Sequence, residues 1–549
     1  GMYSSGTITP KLTNCIFWDN LTRRYGEIYN DSVGTDPNFS YCDIEGGING
    51  FKCGGYDSTD GGGNINSNPN FLNYNDPNGS DNQFFTRDDG LNLGTGSSCI
   101  DAGDNDAVSE SNDIIGTSRK IDDPNTTDTG NGTAPIVDMG AYEYNPDLPH
   151  FYPIYVDKDA TGNDDGTTWA DAFNDLQDAL DAANSGNEIW VAEGTYYPDE
   201  GRNVVDNNQS ETFLLVEEVE MYGGFDPGSG DDTWAERDHV NNVTILSGDI
   251  DKDSTLDTDN SWHVVRGAGD SDTIIDGFTI TMGYADGPQF PDHGNCGGGM
   301  LNNECSPTVR NCIFHKNHAA GGGGLLNGYG CMSTVTNCVF SDNDAADGGG
   351  MYNKGDEEDP GLTVSNCVFT GNEASDDGGA IFLIYSESSA IKNCTFEGNH
   401  ADNCGGAVFA NFAETSFANC ILWGNTATAA GGEICVATAV PYLIPTFGYC
   451  DIEGDLNGSK CAGYDSFDGG NNINSDPDFV DDTDLDGDDN QWATSDDGLA
   501  LDSGSPCIDA GDNSAISEPH DITGAARKVD GDGDQTVTVD MGAYEYQGS

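Results

Sequence analysis

The chain has 549 residues, with 96 Asp and Glu against 19 Lys and Arg, a formal net charge of −77. That balance argues against direct nucleic-acid binding, because a phosphate backbone is met by a basic face. Glycine, at 75 residues, is about twice its ordinary share, and no apolar run approaches the roughly 18 residues of a membrane span.

Residues 1–20, GMYSSGTITPKLTNCIFWDN, align without a gap to Gly406–Asn425, so the sequence opens part-way through a repeat unit. From there to residue 146 the chain parallels its own C-terminal end. Tyr41–Glu45 answers Tyr449–Glu453, Cys99–Asn105 answers Cys507–Asn513, and Val137–Tyr144 answers Val539–Tyr546. Residues 1–146 therefore read as the last coil and cap of a preceding module, and 147–153 as a linker. A new module starts at 154–188, with a strand at Ile154–Val156 and a helix over Trp169–Asn184 that places Phe173, Leu176, Leu180 and Ala183 on one face.

Residues 189–439 carry the repeats. Asn-Cys-x-Phe (or Leu) begins at Asn311, Asn337, Asn366, Asn393 and Asn419, in steps of 26, 29, 27 and 26 residues. A second Asn follows six positions later, at Asn317, Asn343, Asn372, Asn399 and Asn425, and a Gly turn follows that. The apolar runs are short, β-branched and aromatic, too brief for helices. Each unit is one coil that cannot bury its apolar side alone, and stacking coils about 4.8 Å apart solves this. The fold class expected is all-β, a parallel β-helix with a capping helix at its N-terminal end. The L-x-x-L-x-L spacing of leucine-rich repeats is absent. In each Cys-x-Phe the Cys and Phe point inward, while Ile313, Val339, Val368, Thr395 and Ile421 face out. Residues 440–549, rich in Asp and Gly, are expected to cap the open last coil.

Seventeen Cys are present. Those at the repeat position stack as buried free thiols. Cys42 with Cys53 and Cys450 with Cys461 share a separation of 11 in the two copies and are the disulfides expected.

Asp484, Asp486 and Asp488 alternate around Leu485 and Gly487, presenting hard oxygens to a cation of the Ca²⁺ type. The first copy supplies Asp76, Asn78 and Ser80 at these places, and Asp530, Asp532 and Asp534 form a run of similar kind. A solvated acidic loop is the alternative in each case. Asp101 and Asp104 recur as Asp509 and Asp512, where turn capping explains them as well as a metal does. Asp347, Asp376, Asp377 and Asp402 approach one another before the Gly turns, with Lys316, Arg310 and Lys392 as available bases.

Tyr155-Val-Asp157, Gly166–Phe173 and Ile189–Tyr196 resemble the opening of secreted bacterial right-handed parallel β-helix repeat proteins. The Asn-Cys-x-Phe rungs also resemble polymorphic outer-membrane protein repeats. Gly504–Gly511 and Val539–Tyr546 are similar to the choice-of-anchor, surface-anchoring tail found behind such β-helices. The resemblance implies the right-handed sense of the coil and export to the cell surface or beyond.

The function expected is a non-enzymatic, calcium-stabilised extracellular structural or adhesive protein, in tandem modules or a fibre. Its partners would be copies of itself or adjoining modules, because the opening repeat leaves a coil edge to pair, and also cell-surface polysaccharide. The alternative is a Ca²⁺-dependent polysaccharide lyase or another carbohydrate-active β-helix enzyme.

Overall fold

The computed structural model describes residues 2–4, 9–18, 28–30, 36–48, 53–55, 58–72, 90–94, 96–124, 126–145, 153–228, 233–289, 294–328, 330–355, 361–437, 443–456, 458, 460–463, 467–516, 518–531, 533 and 535–548. The chain divides into two compact units, Gly1–Tyr152 and Pro153–Ser549. The expected linker falls outside the described residues except for Pro153.

The larger unit is a parallel β-helix with four faces. A typical coil lays down Thr308–Arg310 on face one, Ile313–His315 on face two, His318–Gly321 on face three and Leu325–Asn327 on face four. Coil upon coil, these faces grow into parallel sheets of 11, 9, 6 and 9 strands.

The repeated residues explain why the coils stay in register. Asn311, Asn337, Asn366, Asn393 and Asn419 sit at the bend between faces one and two, with φ between 50° and 55°. Asn tolerates this left-handed geometry better than most residues. Inside the coil, the Phe314, Phe340, Phe369 and Phe396 rings stack in parallel with centroids 4.7, 4.7 and 4.9 Å apart. That interval is the strand spacing itself. The second Asn of each unit is buried, and Nδ2 of Asn317, Asn343, Asn372 and Asn399 donates to Oδ1 of the next Asn at 2.8–3.0 Å. Glu433 ends this ladder, accepting from the main-chain N–H and Nδ2 of Asn425 at 3.1 and 2.6 Å.

Cys312, Cys338, Cys367, Cys394 and Cys420 are free and buried in the core, as expected. The expected disulfides are not formed. Cys42, Cys450 and Cys461 are free, and Cys404 is joined to Cys435 instead. Cys450 continues the inward thiol column and Cys42 holds the equivalent inward place in the smaller unit, donating to the carbonyls of Gly448 and Ser40, so an equal separation of 11 reflected a repeated coil position and not a bond.

The expected helix is also shorter. Trp169–Asp171 is a 3₁₀ turn and the α-helix covers only Leu176–Ala182. Phe173 is drawn into a strand-like pairing with Tyr155 and Val156, its N–H donating to the Tyr155 carbonyl at 2.9 Å. Leu176, Ala179 and Leu180 still join the core beside Val156 and Ile189.

The segment from about residue 476 onward does not simply plug the last coil. It runs back along the outside of face two. Leu499, Ile522, Ala543 and Tyr544 pack on the outward Ile313, Val339 and Val368, and Leu501, Cys507 and Met541 pack on Ile421. Gly542 N–H donates to the Asn419 carbonyl and Ala543 N–H to Thr395 Oγ1, at 2.8 and 3.0 Å. The outward residues of the repeat are thus a second buried surface.

The smaller unit repeats this design on three short parallel sheets. Its coil core includes Ile28, Phe39, Cys42 and Ile44. Its tail makes the same contacts as the larger one: Gly140 N–H donates to the Asn14 carbonyl at 2.9 Å and Asp104 N–H to Asn14 Oδ1 at 2.7 Å.

Candidate functional site

Face three is the narrowest sheet and carries the most chemistry. Its inward positions are Ala319, Ala345, Ala374 and Ala401, all buried. Small side chains there leave the outward row to polar groups: Tyr284, His318, Asp344, Glu373, His400 and Thr426 lie in one register line. The Tyr284 and His318 rings stack with centroids 4.4 Å apart. His318 Nδ1 lies 2.6 Å from Asp344 Oδ2, and His400 Nε2 lies 3.5 Å from Asp402 Oδ1.

At the end of these strands, just before the turns at Gly348 and Gly378, Asp347, Asp376 and Asp377 each bring one carboxylate oxygen to within 4.8 Å of the others. Both glycines have φ near +70°, a geometry in which a Cβ is strained, so the turn fixes where the carboxylates emerge. Burial, then the neighbouring charges of Asp376 and Asp347, pushes Asp377 up to about 6. Burial likewise raises Asp347. Asn403 Nδ2 donates to Asp377 Oδ1 at 2.9 Å. Three carboxylates this close repel one another, and a divalent cation is the natural neutralising partner. Acidic clusters able to coordinate a metal ion also occur at Asp249, Asp251 and Asp253 and at Asp101, Asp122 and Asp128.

Of the four acids expected to converge, Asp402 is not in this group and pairs with His400. Asp347 is aligned with Gly321 of the preceding coil. Of the expected bases, Arg310 is committed to Asp276, Nε to Oδ2 at 2.5 Å, and Arg237 closes on the same carboxylate at 2.6 Å. Asp276 is held well below the usual carboxylate range, the charges of Arg237 and Arg310 outweighing its burial. Lys392 stands on face one in register with Ser365 and Ala418, and Lys316 is exposed at a bend with φ 52°.

The metal positions expected from sequence lie elsewhere. Asp484 and Asp488 are exposed and Asp486 is half-buried, and they are not among the acidic clusters of the described residues. Asp486 instead lines a cavity of about 250 Å³ between the tail and face two, with His239, His315, Gln491 and Trp492. Asp76, Asn78, Ser80, Asp532 and Asp534 lie outside the described residues. Asp530 is half-buried and accepts from the Gln535 N–H at 2.9 Å. Asp104 and Asp512 cap turns, accepting the N–H of Asp106 and Ser514. The row of His and acid residues on face three was missed in the sequence, although its signal, a polar residue directly after each second Asn, is present.

The family described as right handed beta helix region matches residues 265–436. The fold is a right-handed parallel β-helix. Among curated proteins none matches the chain. Among solved structures, the chain is similar to the crystal structure of the pectate lyase Pel9A, with 15 % identity and a TM-score of 0.42, over 72 % of this chain and 97 % of that one. That solved β-helix is an enzyme's, which stands against the expectation of a non-enzymatic structural or adhesive protein. At that level of likeness the chemistry of this chain rests on its own residues.

Proposed function

We propose that the larger unit is a carbohydrate-active enzyme, a Ca²⁺-dependent polysaccharide lyase working outside the cell, with face three as its active surface. The observation that carries this reading is the meeting of Asp347, Asp376 and Asp377 on a rigid parallel sheet. The donor set is all hard oxygen, which suits Ca²⁺. A bound Ca²⁺ would supply positive charge to hold the carboxylate of an acidic sugar and to acidify the proton beside it.

The chain's own groups supply the rest. Tyr284, stacked on His318, offers an aromatic surface to a sugar ring. His318 and His400, each beside a carboxylate, are the imidazoles on this face placed to serve as the general base. Glu373, between them in register, can bind sugar hydroxyls.

The test is incubation of the full chain with pectate, alginate and glycosaminoglycans, with Ca²⁺ and with EDTA, following unsaturated product. Ca²⁺-dependent product that is lost in Asp347→Asn and Asp377→Asn supports the proposal. No product from any acidic polysaccharide, or product unaffected by both substitutions, removes it.

A further inference from the structure

Outside face three, we infer that the smaller unit holds a divalent cation of the calcium class between Asp101, Asp122 and Asp128. One carboxylate oxygen of each lies within 4.8 Å of the others. Proximity alone would not distinguish this group from any acidic loop. What distinguishes it is Asp101, which is 0 % exposed and whose Oδ1 is buried with no hydrogen-bond partner. Leaving a buried oxygen unsatisfied is unfavourable, the more so if it is charged, so a ligand for it is expected.

The backbone leaves that carboxylate little freedom. Asp101 has φ 51°, and its N–H donates to Asp138 Oδ1 at 2.7 Å. Its carbonyl accepts from the N–H groups of Thr129 and Gly130 at 3.0 and 3.1 Å, which ties the loop carrying Asp128 to it. Its other oxygen, Oδ2, accepts from the Asp123 N–H at 3.3 Å. Burial, then the charges of Asp128, Asp122 and Asp123, pushes Asp101 up to about 6. Among the described residues no Lys or Arg forms an ion pair with any of the three. A cation would relieve both the repulsion and the unsatisfied oxygen.

The other clusters contrast with this one. Asp249 already uses both oxygens, accepting from the N–H groups of Asp253 and Ser254, so that loop accounts for itself. The corresponding loop of the larger unit differs: Asp509, which aligns with Asp101, accepts from the Thr538 N–H, and the buried oxygen without a partner is Oδ1 of Asp530, which aligns with Asp122. The ligands are carboxylates alone, and Asp122 and Asp128 are exposed, which leaves the outer side of the ion to water.

The experiment counts Ca²⁺ bound per full chain by equilibrium dialysis and follows thermal melting with and without Ca²⁺. The variant is Asp122→Asn with Asp128→Asn, both at exposed positions, with circular dichroism to verify folding. One Ca²⁺ fewer per chain, with a smaller Ca²⁺-induced rise in melting temperature, is the expected result. An unchanged count in that variant overturns the site. Asp347→Asn with Asp377→Asn is run alongside, and it should leave this ion in place. A loss confined to that second variant would assign the bound Ca²⁺ to face three and overturn the inference here.

Discussion

Arg527 Nη2 donates to Oδ1 of Asn366 at 3.0 Å, joining the tail to a coil 161 residues earlier, and no part of the Arg527 side chain is exposed. Asn366 is the bend residue of its coil and also donates from Nδ2 to the His520 carbonyl at 2.8 Å. The guanidinium further bonds the Gly542 and Ala543 carbonyls and faces Glu545 at 3.5 Å. One buried cation thus pins the tail to face two.

Arg527→Ala should cost about 3–5 kcal/mol, because it removes the cation facing buried Glu545 together with the donor to Asn366 Oδ1. Arg527→Lys should recover little, since an ammonium cannot reproduce the fork of donors. Denaturant unfolding measures the loss, and limited proteolysis should show cleavage within residues 479–546. A variant as stable and as protease-resistant as the parent would mean that the tail is held by its apolar contacts alone.

Stability should fall as pH rises through the neutral range, in part because of Glu433. Burial raises its carboxyl from 4.5 to about 8. The folded state therefore keeps a proton that the unfolded chain has released. This contribution is complete below pH 4.5 and is lost progressively up to about pH 8. Glu433→Gln keeps an acceptor for Asn425 and removes the titration, so its melting temperature should vary less over that window. An equal pH dependence in parent and variant would assign the effect to other buried acids.

Phe369 stands in the middle of the ring stack, between Phe340 and Phe396. Phe369→Ala should cost about 3–5 kcal/mol through lost burial and an unfilled cavity. Phe369→Leu should cost less, because leucine fills more of the space, as Leu422 does one coil beyond Phe396. Calorimetry of the two variants checks the order.

Cation binding on face three should weaken as pH falls through about 6, where Asp377 gains its proton. Titration calorimetry with Ca²⁺ on either side of that pH measures it. Asp377→Asn should abolish the dependence together with most of the binding. Binding that is as strong below pH 6 as above it would show that Asp377 is not a ligand.

The coil itself was legible in the sequence because its determinants are local and repeated. Asn at each bend, Cys and Phe inward and Gly at the turn recur with the period of one coil, and stacking identical coils aligns identical residues. The convergence of Asp347, Asp376 and Asp377 was readable for the same reason, since register converts a spacing of 29 or 30 residues into neighbouring positions. Three things depended on the tertiary structure. The outward Val339 and Val368 are covered by Leu499, Ile522 and Ala543, a contact between segments that share no period. Cys404 bonds Cys435 because a turn and a strand of the next coil bring them together, whereas equal separations within the two copies only marked equivalent positions. Asp101, Asp122 and Asp128 meet through a non-repeating loop, whose path is set by backbone bonds to Asp101 and not by the spacing of its acids.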